Sequence, residues 1–417
     1  MTNRRVFLKS GGVALLSVGL APSFLARTVA AAGTRKKLLI AIFQRGAVDG
    51  LNMVVPHGDA GYYAARPTIA IARPGSTGGA LDLDGFFGLH PRMAPLTPWW
   101  QAGHLAVVHA SGSPDATRSH FDAQDYMESA TPGVKSTRDG WLNRYLQARD
   151  AHDAHETHDA RSPLQAVALT TQMPRALQGR AAALAVGRLD DFAVRADAAT
   201  AATFESVYAA SANPGLSSTA AEAFNAMRLL AASARNPYAP ASGVTYPRSP
   251  YGQALQEIAR LAKAEVGLEI AFAESTQWDH HANEGGATGQ IANRLDDFAR
   301  GLAALARDLG DRMADTVIVT MSEFGRAVAQ NGSGGTDHGH GNAMFVLGGA
   351  VKGGHVYGRW PGLAPEQRHD GRDLAITTDF RDVFAELVVR HLGADPATAA
   401  AVFPGHAVRA AAFAGVL

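Results

Sequence analysis

Residues 37–43 (KLLIAIF) form an apolar run without polar alternation, which predicts a strand buried on both faces. Residues 105–110 (LAVVHA) and 317–321 (VIVTM) repeat the pattern, 344–347 (MFVL) is a shorter version, and 164–169 and 182–186 are weaker strands. Between them the period changes. Ile291, Leu295, Phe298, Leu302, Leu305 and Leu309 recur at three- and four-residue steps, so 290–310 predicts a helix with one apolar face. Phe380, Val383, Phe384, Leu387, Val388 and Leu392 do the same behind a Thr378-Asp379 cap, and Leu255, Ile258, Leu261 and Ala262 support a helix over 251–266. Strands alternating with helices predict an α/β fold with a largely parallel central sheet. Ligands of such sheets bind beyond the carboxyl ends of the strands, which directs attention to the loops after 43, 110, 274, 321 and 337.

Residues 1–32 read as an address. Asn3-Arg4-Arg5-Val6-Phe7-Leu8-Lys9 is a twin-arginine pattern, followed by a weakly apolar run over 11–25 and by Ala30-Ala31-Ala32, a small-residue cleavage site. The run is too short and too rich in Gly and Ser to span a bilayer, and no later segment reaches that length. The expectation is a signal peptide over 1–32, export by the twin-arginine translocase to the periplasm or the exterior, and a single mature domain over 33–417. The stretch around 187–250, rich in Ala, Ser and Asn, is expected to be a helical insertion in that domain.

Composition narrows the chemistry. Of 417 residues 47% are hydrophobic and 18% charged, enough to bury a large core. Lys and Arg balance Asp and Glu at 38 each with no basic block, which argues against a nucleic-acid partner. The absence of Cys removes disulfides, thiolate metal sites and a Cys nucleophile, and leaves oxygen and imidazole to do any chemistry.

Three clusters offer those groups. Glu323 follows the strand at 317–321, and Asp337-His338-Gly339-His340 sits among glycines before the next strand. Carboxylate and neutral imidazole are the ligands zinc takes where thiolate is lacking, and residues two apart on an extended segment point the same way, so His338 and His340 can face one ion. A polar loop with incidental histidines is the plainer alternative. Asp279 and His281, in Trp278-Asp279-His280-His281, repeat the two-residue spacing; alone they are equally a satisfied polar loop, but a two-metal site needs ligands from several strand ends. Thr117-Arg118-Ser119-His120 falls at a helix start, where a hydroxyl can act as a nucleophile and Arg118 can grip a tetrahedral oxyanion. Helix capping explains Ser119 just as well. The loop 45–52 adds Asp49 as a ligand candidate and Arg45 as an anion contact, with a glycine turn as the rival reading. The tract from His152 to Asp159 lacks a preceding strand and reads as a surface loop. No Gly-x-Ser-x-Gly elbow, phosphate-binding Walker loop or dinucleotide fingerprint is present.

Phe43-Gln44-Arg45-Gly46-Ala47-Val48-Asp49-Gly50, Arg118-Ser119-His120-Phe121-Asp122, Trp278-Asp279-His280-His281-Ala282-Asn283, Ser322-Glu323-Phe324-Gly325-Arg326 and Gly335-Thr336-Asp337-His338-Gly339-His340-Gly341, together with the leader, resemble the domain-of-unknown-function 1501 family over the whole mature chain. That family is similar to the alkaline phosphatase and sulfatase superfamily. The resemblance implies a three-layer α/β sandwich and an exported, metal-dependent hydrolase of phosphate or sulfate esters acting on a small anionic substrate. It also implies a divalent metal, with zinc first and calcium or manganese as alternatives, held among Asp49, Asp279, His281, Glu323, Asp337, His338 and His340. Ser119 would be the nucleophile, with Thr117 its competitor and Arg118 and His120 beside it. Glu323 departs from the superfamily's Asp-His at that position, and the lack of Cys excludes the common sulfatase chemistry. The alternative is a non-catalytic exported envelope-assembly or binding protein on the same fold.

Overall fold

A computed structural model describes residues 36–153, 162–191 and 238–417, with 205–206, 221 and 223–229 between the last two stretches. The leader, residues 154–159 of the His/Asp tract and most of the expected insertion lie outside the described residues. The strands are β1 (Leu38–Gln44), β2 (Val54–Val55), β3 (Leu81–Asp82), β4 (Gly88–Leu89), β5 (Leu105–Gly112), β6 (Ala166–Ala168), β7 (Leu184–Ala185), β8 (Ile270–Ser275), β9 (Thr316–Met321), β10 (Asn342–Gly348), β11 (Val356–Tyr357) and β12 (Thr378–Asp379). Short β2, β3 and β4 pair apart from the rest. The other nine form one sheet in the order β11-β5-β10-β9-β1-β8-β6-β7, with β12 also on β5.

Every pairing in that sheet is parallel except those of β10, which runs antiparallel to both β5 and β9. An apolar run shows burial and not direction, so this reversal is invisible in the sequence. It has a consequence for the site. The loops leaving β1, β5, β8 and β9 and the one entering β10 meet at a single edge of the sheet.

Alternation along β1 shows the layering. Leu38, Ile40 and Ile42 pack into one core with helices α3 (Pro250–Lys263) and α4 (Gln290–Leu309). Leu39, Ala41 and Phe43 pack into a second core with α2 (Trp141–Asp153) and α5 (Phe380–Glu386), so helices cover both faces of the sheet. The six apolar residues that announced α4 are all buried, each contributing about 1.5–3 kcal/mol relative to exposure. The helix expected over 380–392 is regular only to Glu386 and continues as a π-turn over Leu387–His391. Among the described residues no helix is long and apolar enough to cross a membrane.

Candidate metal centre

Helix α1 (His120–Ser129) begins just past β5 and is capped by Ser119, whose hydroxyl accepts the Asp122 N–H at 3.5 Å. Its first residue, His120, extends toward the loops after β8 and β9. The loop after β8 supplies Asp279 and His281, and the loop between β9 and β10 supplies His338. His120, Asp279 and His338 present one ligand atom each within 4.8 Å of one another. His281 joins them: its Nε2 lies 3.0 Å from Asp279 Oδ1 and 3.0 Å from His338 Nε2. His338 Nε2 is 3.3 Å from Asp279 Oδ1, and His120 Nε2 is 3.5 Å from Asp279 Oδ2. Three imidazole Nε2 atoms therefore surround one carboxylate.

Each ring is held from behind at Nδ1. His120 Nδ1–H donates to Glu323 Oε1 at 2.8 Å, His338 Nδ1–H donates to the Arg118 carbonyl at 2.8 Å, and His281 Nδ1–H faces Asp337 Oδ1 at 3.4 Å. Acceptor-only partners fix the tautomer, so in each neutral ring the lone pair sits on Nε2 and points into the cluster. Buried Glu323 also accepts the Gly46 N–H and the Gln124 amide, both at 2.8 Å. Burial pushes its carboxyl up, but the bonds from His120 and Gln124 outweigh that and hold it below the usual range. The same bond to Glu323 raises His120 against the effect of burial, whereas burial lowers His338 and keeps it neutral. Asp279 is held ionised: burial acts to raise it, and the bond and charge of Arg326 win.

Arg326 is the hub that joins the loops. Fully buried, it donates from Nε to Ala47 O (2.6 Å), from Nη1 to Thr336 O (3.1 Å), and from Nη2 to Gly46 O (2.5 Å), Trp278 O (3.1 Å) and Asp279 Oδ1 (2.7 Å). Gly46 makes this junction possible. Its φ is +110°, and a Cβ there would stand 2.9 Å from the Asp279 nitrogen.

Of the residues expected from the sequence, Asp279, His281 and His338 are brought together. Glu323 and Asp337 stand behind them as hydrogen-bond partners instead of facing the cluster. His120, expected to act in catalysis, takes a place among the ligand-type side chains. Asp49 and His340 are elsewhere. Asp49 is enclosed by the guanidinium of Arg66, to which it is ion-paired, and caps the short helix Gly50–Met53. His340 stacks on His369 with ring centroids 4.1 Å apart. The two-residue spacing fails because Gly339 N–H bonds to Gly325 O while Gly325 N–H bonds to His340 O, setting two residues opposite one as in a bulge. Arg118 is ion-paired with Asp373 and Asp370, so its guanidinium is already engaged. Arg45 is likewise bound between Glu128 and Glu274. Ser119 is exposed and Thr117 accepts the Ser119 N–H at 3.2 Å. Arg326 and Gln124 are the residues that sequence reasoning passed over. Arg326 stood in the quoted Ser-Glu-Phe-Gly-Arg segment, where a single Arg gives no sign of its five partners.

The donor set fits a divalent ion. His120 Nε2 is buried and has no hydrogen-bond partner, as expected of a ligand atom aimed at a metal position. Imidazoles backed by carboxylate or carbonyl at Nδ1 are the usual support of such ligands, and three nitrogens with one oxygen suit zinc.

A mixed α/β protein with an imidazole–carboxylate cluster at the carboxyl edge of its sheet is the class that fold and site define. The chain belongs to the family described as "Protein of unknown function (DUF1501)", which it matches over residues 36–410. No curated protein matches it. Solved structures similar to it include the C-terminal periplasmic domain of EcEptC from Escherichia coli in complex with Zn, at 11% identity and TM-score 0.34 over 76% of this chain and 74% of that one. They also include the PsFucS1 sulfatase from Pseudoalteromonas sp., at 12% identity and TM-score 0.37 over 89% of this chain and 70% of that one. A third is a protein in the alkaline phosphatase superfamily from Vibrio parahaemolyticus, at 11% identity and TM-score 0.32 over 76% and 61%.

Proposed function

We propose that the protein is an exported metal-dependent hydrolase of phosphate or sulfate esters, with His120, Asp279, His281 and His338 holding one divalent ion, zinc by donor type. The observation that carries this reading is the convergence of three Nε2 atoms on Asp279 while every Nδ1 is tied to an acceptor. The class of ester follows the resemblance drawn from the sequence, and the signal peptide over 1–32 and the single domain over 33–417 follow the twin-arginine pattern and the small-residue cleavage site. An ion bound there would supply Lewis-acid polarisation of an ester oxygen. The protein's own groups do the rest. Glu323, Asp337 and the Arg118 carbonyl hold the three rings in one tautomer, and Arg326 holds Asp279 in place as an anion. Ser119 is the attacking hydroxyl of this proposal. It is exposed and directly precedes His120, and among the described residues its hydroxyl makes only a long cap bond at the amino end of α1, where the helix dipole favours developing negative charge.

Turnover of 4-nitrophenyl phosphate, bis(4-nitrophenyl) phosphate and 4-nitrophenyl sulfate tests it. At least one ester should turn over in the wild type, fall at least a thousandfold in Asp279→Ala, and fall comparably in Ser119→Ala. Unchanged turnover in Asp279→Ala would refute the metal reading. Unchanged turnover in Ser119→Ala, with a small loss of stability, would reduce Ser119 to a cap. One observation favours the second reading, a metal-holding binding protein without turnover. Arg118, the cation beside the cluster, is neutralised by Asp373 and Asp370 and is not free to take the charge of a transition state.

A further inference from the structure

An open cavity of about 710 Å³ lies at the same carboxyl edge of the sheet, beyond β6 and β8 and between α3 and α4. Its size is that of a small-molecule site. Its lining mixes the buried side chains of Leu169, Val186 and Tyr251 with polar ones. Two arginines line it, Arg188 and Arg294. Arg294 on α4 is half-buried and has no ion-pair or hydrogen-bond partner among the described residues, although Asp297 stands one helical turn away. Asp297 is directed to the Ser249 hydroxyl at 2.9 Å instead. A partly dehydrated guanidinium without a partner is costly and is relieved by an anion. Around it Thr276, Gln253, Ser249 and the Asp297 carboxylate supply the donors and acceptors that hydroxyl groups take. The remaining acid of the lining, Glu274, is ion-paired with Arg45, which it shares with Glu128.

We propose that this cavity binds a small anionic polyol, a sugar acid or a sugar phosphate, with Arg294 holding the anionic group and Asp297, Ser249 and Thr276 the hydroxyls. The site is separate from the metal cluster and does not depend on it. The two are nonetheless connected. Gln277 lines the cavity two residues before Asp279. Glu274 is linked through Arg45 (2.8 Å) and Gln124 (3.1 Å) to Glu323 (2.8 Å), which orients His120.

Titration calorimetry of the purified protein with glucuronic acid, glucose 6-phosphate, glucose and inorganic phosphate tests the assignment. One or both acidic sugars should bind, with glucose and inorganic phosphate each at least tenfold weaker, and the tighter of the two acids identifies the anionic group. Arg294→Gln should weaken the acidic sugars at least tenfold and leave glucose unchanged. Asp297→Asn should weaken both acidic sugars and glucose. His338→Ala should leave the binding intact, which separates this site from the metal cluster. Failure of both acidic sugars to bind would overturn the proposal, as would affinity that a folded Arg294→Gln variant retains. Inorganic phosphate binding as tightly as glucose 6-phosphate would remove the polyol from it. Loss of sugar binding in His338→Ala would move the ligand to the metal cluster. If Arg294→Gln unfolds, Arg294→Met takes its place, and acidic-sugar affinity equal to wild type in that folded variant overturns the proposal.

Discussion

Replacing Arg326 with Met removes the hub of the site while keeping a long, buried, apolar side chain. Four carbonyl oxygens and the Asp279 carboxylate lose their donor together. Bonds from a charged donor contribute about 1.5–3 kcal/mol each but do not add when they share one group. The closer comparison is removal of one partner from a buried ion pair, which costs about 3–5 kcal/mol. With about 2.1 cal/mol/K of unfolding entropy per residue, a chain of this length should lose about 3–6 °C in Tm. Arg300→Met is the control, because Arg300 pairs with Asp296 one turn away on an exposed surface of α4. Such a pair is worth about 0.3–0.5 kcal/mol, so its Tm should move by less than about 1 °C. Thermal unfolding followed by circular dichroism, with urea unfolding in parallel, reads both variants. An Arg326→Met protein as stable as Arg300→Met would refute the view that one guanidinium holds these loops together.

Glu323→Gln keeps the shape of the acceptor behind His120 but removes its charge, and should lower metal affinity roughly 10–100-fold in a chelator competition; unchanged affinity would deny it that supporting role. Gly46→Ala places a Cβ 2.9 Å from the Asp279 backbone at a φ of +110°. It should cost about 1–3 kcal/mol in urea unfolding and loosen the metal as well, whereas a neutral result would show that the loop can retreat. Asp308, far from the cluster, is buried and bonded to Lys263, Tyr238, Tyr246 (2.8 Å) and the Ala241 N–H (2.8 Å). Burial acts to raise its carboxyl, and the bonds from Lys263 and Tyr238 outweigh it, so it titrates below the usual range. The folded state then releases this proton more readily than the unfolded chain, and its stabilisation is complete above the unfolded pKa of about 3.9 and is lost as pH falls through the lower folded value. Asp308→Asn should cost about 1.5–3 kcal/mol at pH 7, with the difference from wild type shrinking below about pH 4 in urea titrations; a difference independent of pH would contradict the sign.

The central strands were legible because burial on both faces leaves a continuous apolar run, as in β1, β5 and β9. The apolar face of α4 was legible for the matching reason in a helix. The direction of β10 was not, since it depends on the loop that returns from β9. At the site the residue types were readable and their rank was not. Glu323 and Asp337 have the same chemistry as Asp279, and only three-dimensional placement sends them to Nδ1 of a histidine. Asp49 was misplaced because its partner, Arg66, lies 17 residues further along and shows no local pattern. His340 was misplaced because the local doubling opposite Gly325 interrupts the strand period on which its pairing with His338 rested. By contrast, His90, His109 and His391 stand singly along the chain, and each places Nε2 within 3.0–3.1 Å of a backbone carbonyl.

Metal content of the purified protein by mass spectrometry, wild type beside an Asp279→Ala/His281→Ala/His338→Ala variant, tests the metal centre most directly. About one equivalent of a tightly held divalent metal, zinc by donor type, should accompany the wild type and be absent from a folded triple variant. A folded wild type that carries no metal and takes up none on dialysis against zinc, manganese or calcium would contradict it.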